Sequence, residues 1–374
     1  MQEEALEYHR GGKIHLEAKH KLENQADLQL TYTPGMGYAA EAIIEDKSKS
    51  FDYSWRQSAV AIVCNGTAVL GYGNVGPEAA LPVMEGKSVV FKRFAELNAV
   101  PLCINETEPE AIVRFCHQIQ PSFGGILLED IKAPECFEIE RQLKNTLAIP
   151  IFHDDQHGTA VVVLAGLINT LKLTEQTADN LKIVINGAGA AGLATARLLH
   201  EYGFKNITLL DSKGIVCRER ADLNKYKIEA LEYTNLENTS GQLIDALNQA
   251  DIFIGLSKAN LLGAAEIAAM KPEPIVFALA NPVPEIMPDL AKQLGVKIIA
   301  TGRADYPNQV NNVLAFPGIL KAAMDKKSQI NNKMLISAAQ GLAACVENPC
   351  FEKIIPMAFD DGVFDSVYQA IMQN

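Results

Sequence analysis

One segment, LKIVINGAGAAGLATARLL, constrains the fold of this chain more than any other. Lys182–Asn186 reads as a strand and Gly192–Glu201 as a helix, and between them lies Gly187-Ala188-Gly189-Ala190-Ala191-Gly192. This order of strand, Gly-x-Gly-x-x-Gly and helix suits a dinucleotide. Gly187 permits the tight turn, Gly189 lets a pyrophosphate approach the backbone, and Gly192 lets helix and strand pack closely. The helix N-terminus then offers free N–H donors to the phosphates. About 20 residues on, Ile207–Leu210 ends in Asp211, the position where an acid binds a ribose 2′-hydroxyl. NAD is therefore expected. NADP stays possible, because Lys213 could pair with a 2′-phosphate. The bland alternative is a glycine-rich turn in an empty α/β domain.

Further strand-like runs follow at Asp251–Gly255, Pro274–Leu279 and Val296–Ala300. With the first two, they make five strands separated by helices, a Rossmann-type doubly wound parallel sheet. The earlier part of the chain alternates in the same way. Ala59–Val63, Val100–Ile104, Gly125–Leu128 and Ile149–Phe152 read as strands, with helices at Glu108–Gln118 and Pro134–Leu147 and one or two between Leu81 and Leu97. Ala68–Gly71 reads as another strand, joined to the first by an Asn65-Gly66 hairpin turn. Residues 1–25 look helical, and Leu28–Tyr32 alternates like a strand before the Thr33-Pro34-Gly35 turn. Gly158–Leu173 is apolar nearly all round, as a buried helix bridging two domains would be. The expected fold class is α/β, with an N-terminal α/β substrate and metal domain at 1–157. A Rossmann domain with C-terminal helices would follow at 158–374.

At 374 residues the chain is comfortable for two domains, and its 48% hydrophobic and 21% charged content is that of a globular protein. A formal charge of −12 argues against nucleic acid as a partner. The polar N-terminus lacks the apolar core of a secretory signal, and no apolar run reaches the roughly 20 residues that span a bilayer. The 7 cysteines show no Cys-x-x-Cys spacing, so reduced thiols and a cytoplasmic location are expected.

Two acidic pairs follow strand-like runs, Glu129-Asp130 in GGILLEDI and Asp154-Asp155 in IPIFHDDQHGT. Strands that deliver several carboxylates to one sheet end, with no thiolate nearby, suit a hard divalent ion such as Mg²⁺ or Mn²⁺. Solvated loop acids or helix N-caps would give the same letters. His153 and His157 have a zinc-like spacing but lack a third soft ligand. Lys87 precedes the apolar Ser88–Phe91, so it reads either as a partly buried base, its pKa lowered by desolvation and a nearby cation, or as an ordinary surface charge. Tyr32 lies before a rigid Thr-Pro-Gly turn.

Taken together, LTYTPGM, GYGNVGPEAALPVMEGKSVVFK, LLEDI, IPIFHDDQHGTAVV, INGAGAAG, FALANPVPE and TGRADYPNQVNNVLAFPG resemble the malic enzymes in their short bacterial form. These segments span about residues 30–320. The resemblance implies Tyr32 as general acid and Lys87 as general base, with Asp154 setting the protonation state of Lys87. It implies Glu129, Asp130 and Asp155 as metal ligands, and Asn281, Asn312 and Lys87 as substrate contacts. It further implies a homodimer or higher oligomer in which Tyr32 serves a neighbouring subunit. The activity implied is oxidative decarboxylation of (S)-malate to pyruvate and CO₂ with reduction of NAD(P)⁺. An oxaloacetate decarboxylase or a malolactic enzyme on the same scaffold is the alternative. One departure is Met36-Gly37-Tyr38 after Tyr-Thr-Pro-Gly, where the family usually continues Val-Ala.

Overall fold

The computed structural model describes residues 2–69 and 71–374. Helices α1 (Gln2–His9), α2 (Gln25–Thr31), α3 (Gly35–Glu45) and α4 (Ser50–Tyr53) precede the first strand. Residues 1–25 are not one helix: Gly11 and Gly12 adopt φ of +81° and +85°, and the chain runs irregularly to Asn24. Nor is Leu28–Tyr32 a strand. Asn24 caps α2 by accepting from the Ala26 and Asp27 N–H groups at 2.9 and 3.0 Å, and the local cap overrides the alternation.

The first sheet contains β1 (Ala59–Cys64), β2 (Asn98–Cys103), β3 (Gly125–Glu129) and β4 (Ile151–His153) in the order β2-β1-β3-β4. All its pairs are parallel. Every residue of β1 and β3 is buried, as strands covered on both faces require. Helices α5 (Pro77–Ala95), α6 (Pro109–Ile119) and α7 (Glu135–Thr146) make the connections. The stretch 81–97 forms one helix rather than two, started by Pro77 after Gly76 at φ +81°. The expected Asn65-Gly66 hairpin does not form. Gly66 takes φ +65°, but its carbonyl accepts from Val75 and Gly76 N–H at 3.0 and 3.1 Å, closing a loop over 65–76.

Helix α8 (Asp154–Thr174) begins at the very end of β4, so its first turn holds Asp155 and His157. The expected domain boundary at 157/158 falls inside it. The helix is long and apolar enough to cross a membrane by length and composition, unlike the sequence expectation, yet 67% of its most apolar stretch is buried inside the fold. It is a core helix.

The second sheet comes next: β5 (Lys182–Asn186), α9 (Ala190–Tyr202), β6 (Asn206–Asp211), β7 (Gly214–Ile215), α10 (Lys225–Ala230), α11 (Leu243–Leu247), β8 (Ile252–Gly255), α12 (Ala264–Ala269), β9 (Ile275–Ala278), α13 (Pro288–Gln293) and β10 (Ile298–Thr301). Its order is β10-β9-β8-β5-β6-β7. Five strands are parallel and the two-residue β7 is antiparallel to β6. The chain switches sides of the sheet between β5 and β8, the crevice where such sheets bind ligands.

The C-terminal helices α14 (Phe316–Lys326), α15 (Asn332–Ala344) and α16 (Val363–Met372) close the molecule. Helix α14 returns to α5, where the Phe316 and Phe91 rings meet at 4.8 Å. Helix α15 lies along α8, and buried Asn169 of α8 donates to the Ala343 and Ile354 carbonyls at 2.9 and 3.0 Å. One continuous core thus runs through both sheets and these helices. Asn169→Ala leaves both buried carbonyls without donors, and the expected loss is about 2–4 kcal/mol of unfolding free energy, read by urea denaturation. A loss below about 0.5 kcal/mol, the size of an ordinary surface change, would contradict this tie.

Candidate active site

Four carboxylates and one ammonium converge at the C-terminal end of the first sheet. Strand β3 ends on Glu129, and Asp130 follows at φ +52°, a left-handed backbone that bulkier side chains resist. That turn is held because the Asp130 carbonyl accepts from Thr67 and Ala68 N–H at 3.0 and 3.1 Å. Its own N–H donates to Asp155 Oδ2 at 2.9 Å. Ligand oxygens of Glu129, Asp130 and Asp155 lie within 4.8 Å of one another. Lys87, on α5, reaches Glu129 Oε1 at 2.7 Å and also contacts Asp154 Oδ2. Its Nζ sits 4.8 Å from the Phe316 ring centroid.

A backbone detail makes room for this. A methyl group at Gly158 would lie 1.9 Å from Asp154 Oδ1, so only glycine allows that carboxylate to fold back over its own helix. The same position faces Asn312, whose Oδ1 accepts from Thr159 Oγ1 at 3.2 Å.

The electrostatics are those of an acid cluster short of cations. Burial pushes Glu129 well above the usual carboxylate range, with Lys87 opposing. Burial and Asp155 push Asp130 up to about 7. Burial also raises Asp155. For Lys87, burial alone would lower the ammonium, but Asp154, Glu129 and Asp155 outweigh it and hold the group above its ordinary value. The lowered pKa expected from sequence depended on a nearby cation, and the groups that dominate here are three carboxylates. Glu129 Oε2 and Asp130 Oδ2 are buried with no hydrogen-bond partner. Three hard oxygen donors at this spacing, with unpartnered lone pairs, fit a divalent ion of the Mg²⁺ or Mn²⁺ kind.

The histidines act elsewhere. His157 Nε2 contacts Glu140 Oε1 at 2.7 Å, and Gln156 and Lys144 complete a buried network on Glu140. Buried His153 lies 3.9 Å from Asp155 Oδ2, and burial lowers its pKa, which favours the neutral imidazole.

The glycine loop is shaped as its spacing implies. A Cβ on Gly187 would meet the Leu256 carbonyl at 2.4 Å, and one on Gly192 the Gly187 carbonyl at 1.8 Å. Nothing lies within 4 Å of one on Gly189, so the loop is open on the side a phosphate would approach. Ala188, Ala190 and Ala191 fill the remaining positions, with α9 starting at Ala190. Asp211 ends β6 as expected, but its carboxylate is already engaged. Arg220 grips both oxygens at 2.8 and 2.9 Å and Lys227 adds a contact at 2.5 Å. Lys213 pairs with Asp222 at 3.0 Å instead.

Asn281 follows β9 at a cis Asn281–Pro282 bond; its carbonyl lies 3.2 Å from the Cβ position of Gly71, and its side chain abuts Gly302. The loop that follows β1 therefore touches Asp130 through Thr67 and Ala68 and Asn281 through Gly71. Tyr32 is not brought to Lys87 within this chain. Its phenol is 62% exposed and makes no hydrogen bond. Sequence reasoning missed Phe316, Glu140, Gly158, Arg220 and Lys227. Only Gly158, one helical turn after Asp154, carried a local signal.

The fold and site define a two-domain α/β protein that pairs a Rossmann-type sheet and its glycine loop with a carboxylate cluster whose spacing fits a hard divalent ion. The pattern described as "Malic enzyme, N-terminal domain" matches residues 11–144, and "Malic enzyme, NAD binding domain" matches 156–358. The chain is 47% identical to the bifunctional malic/malolactic enzyme of Bacillus subtilis, over 99% of this chain and 92% of that protein. It is 45% identical to the NAD-dependent malic enzyme of Geobacillus stearothermophilus, over 98% and 77%. The crystal structure of the NAD-dependent malic enzyme of Thermotoga maritima superposes with a TM-score of 0.96 at 49% identity, covering 98% of each chain. The chain belongs to the malic enzyme family.

Asp211 supplies a pH test of its ion pairs. Burial alone would raise its carboxyl, but the hydrogen bonds from Arg220 and Lys227 hold it down to about 2, against 3.8 in the unfolded chain. A depressed folded value stabilises the fold above the unfolded one, and the contribution disappears as pH falls toward the folded one. Asp211→Asn should lower the Tm at pH 7, with the gap to wild type narrowing between about pH 4 and 2. A gap independent of pH would contradict the assignment.

Proposed function

We propose that this chain oxidatively decarboxylates (S)-malate to pyruvate and CO₂ while reducing NAD(P)⁺. The observation that carries the reading is Lys87, buried between Glu129 and Asp154 beside three carboxylates suited to a metal. Glu129, Asp130 and Asp155 would hold a divalent ion, which would supply a Lewis acid for the substrate's oxygens and offset the carboxylate charge around Lys87. Lys87 then takes the C2 hydroxyl proton, and Asp154, in contact with Nζ, sets its protonation state. Asn281 and Asn312 hold the substrate carboxylates, and burial around Lys87 excludes bulk water. Tyr32 returns a proton to C3 of the enol left by CO₂ loss.

Because Tyr32 stands exposed, it serves the site of a second copy. Leu16, Leu30, Tyr38 and Ile44 of the same N-terminal segment are between 69% and 85% exposed, an apolar face that supports a homodimer. NAD is the proposed preference, from Asp211 at the end of β6, with NADP possible through the cations around it. The cysteine spacing, with no Cys-x-x-Cys pair among seven, supports a cytoplasmic location.

The test follows absorbance of reduced nicotinamide with malate and Mn²⁺, in parallel with NAD⁺ and NADP⁺, and assays pyruvate at the end. Matched reduced cofactor and pyruvate are expected. Lactate without net reduced cofactor would indicate a malolactic enzyme, and CO₂ only from added oxaloacetate a decarboxylase. Lys87→Ala should cost at least about 10²-fold in turnover while cofactor affinity is kept. Lys87→Ala and Tyr32→Phe subunits, refolded together, should regain activity that neither homodimer has. A normal rate in Lys87→Ala would overturn the assignment.

A further inference from the structure

Strands β1 and β2 end together, on Cys64 and Cys103, and these two residues are register partners in the parallel sheet. Neighbouring strands lie about 4.8 Å apart, which places the two Cα atoms inside the about 4.4–6.8 Å window a disulfide needs. Register partners direct their side chains to the same face. No other two cysteines are strand partners among the described residues. Cys64 is fully buried and Cys103 half-buried, so an oxidant reaches Cys103 first. The neighbouring Cys64 thiol holds the Cys103 thiol below its ordinary range, against burial, which favours the reactive thiolate there.

The pair is also wired to the acid cluster. On its other side Cys64 is the register partner of Glu129. Cys64 Sγ accepts from the Gly66 N–H at 3.3 Å, and the residues just beyond, Thr67 and Ala68, donate to the Asp130 carbonyl. Thr67 Oγ1 further accepts from the Lys132 N–H at 3.0 Å. Redirecting the Cys64 sulfur toward β2 would withdraw one of the acceptors that hold this loop, next to the residues that fix the left-handed turn at Asp130.

We propose that Cys64 and Cys103 are a redox modification site, closing to a disulfide under a peroxide and weakening divalent-metal binding by Glu129, Asp130 and Asp155. The Cys103 thiolate attacks a peroxide oxygen, forming a sulfenic acid and releasing hydroxide. The Cys64 sulfur then displaces that hydroxyl, and its proton leaves with it as water. The two sulfurs lose two electrons in all, and hydrogen peroxide is reduced to that water and the hydroxide, which becomes a second water by taking up the proton lost when the Cys103 thiolate formed. The metal half of the inference rests on the ligand assignment made above.

The experiment compares reduced and peroxide-treated full-length enzyme by peptide mass spectrometry without reduction and by Mn²⁺ titration followed by electron paramagnetic resonance. The expected result is a linked peptide pair holding Cys64 and Cys103 together with at least about a tenfold loss of Mn²⁺ affinity. Dithiothreitol should reverse both, and Cys103→Ser should keep its affinity through the treatment. A reduced enzyme that binds no Mn²⁺ would overturn the ligand assignment and this inference with it. Three results would overturn the inference alone, given Mn²⁺ binding to the reduced enzyme: no linked pair, a linked pair with undiminished affinity, or equal loss in Cys103→Ser.

Discussion

The structure depends on how a buried ammonium and four carboxylates share one small volume. Taking any one of these charges out of water costs several kcal/mol unless it is paired. Lys87 pairs with Glu129 and Asp154, but burial still raises Glu129, Asp130 and Asp155, and protons or a bound cation must offset them. Every element around the cluster serves that arrangement. Strand β3 must end at Glu129, Asp130 must turn left-handed, α8 must start at once after β4, and Gly158 must lack a side chain. These are demands on backbone, and they leave the chain little freedom at this end of the sheet.

The same helix that opens the site also joins the two halves of the molecule. Helix α8 carries Asp154 and Asp155 in its first turn and then runs through the core, packed by α9 and α15. Helix α14 returns from the second sheet to α5 and sets Phe316 beneath Lys87. Asn312 reaches Gly158 in the first turns of α8, and Asn281 reaches Gly71, so residues following the second sheet's strands meet α8 and the loop after β1. A reaction that needs a base, a metal and a hydride acceptor at one carbon requires groups from both halves to be fixed together. A shared core supplies that rigidity.

Much of this was legible in the sequence, and the failures have physical causes. Strands buried on both faces, the glycine loop and the acids at strand ends all depend on local pattern, and they lie where their letters suggest. The stretch 28–32 misled because its alternating Leu28 and Leu30 are exposed residues of a capped helix, so their period reports no buried face. Asn65-Gly66 misled because a type I′ signal specifies a turn but not the path of the chain beyond it; here parallel neighbours occupy both sides of β1. The carboxylates that hold Lys87 protonated could not be read from its own neighbours in sequence, since they are delivered by β3 and α8. The partners of Asp211 are tertiary as well: Arg220 and Lys227 follow it in sequence, but only the fold turns both onto its oxygens.

The most direct measurement is calorimetric titration of Mn²⁺ into the reduced protein and its Asp155→Ala variant at pH 7, in buffers of different ionisation enthalpy. If the acid cluster is a metal site that holds protons until a cation arrives, one Mn²⁺ binds per chain, protons are released, and the variant loses the binding. Equal binding by the variant, or wild-type binding with no proton release, would contradict that claim.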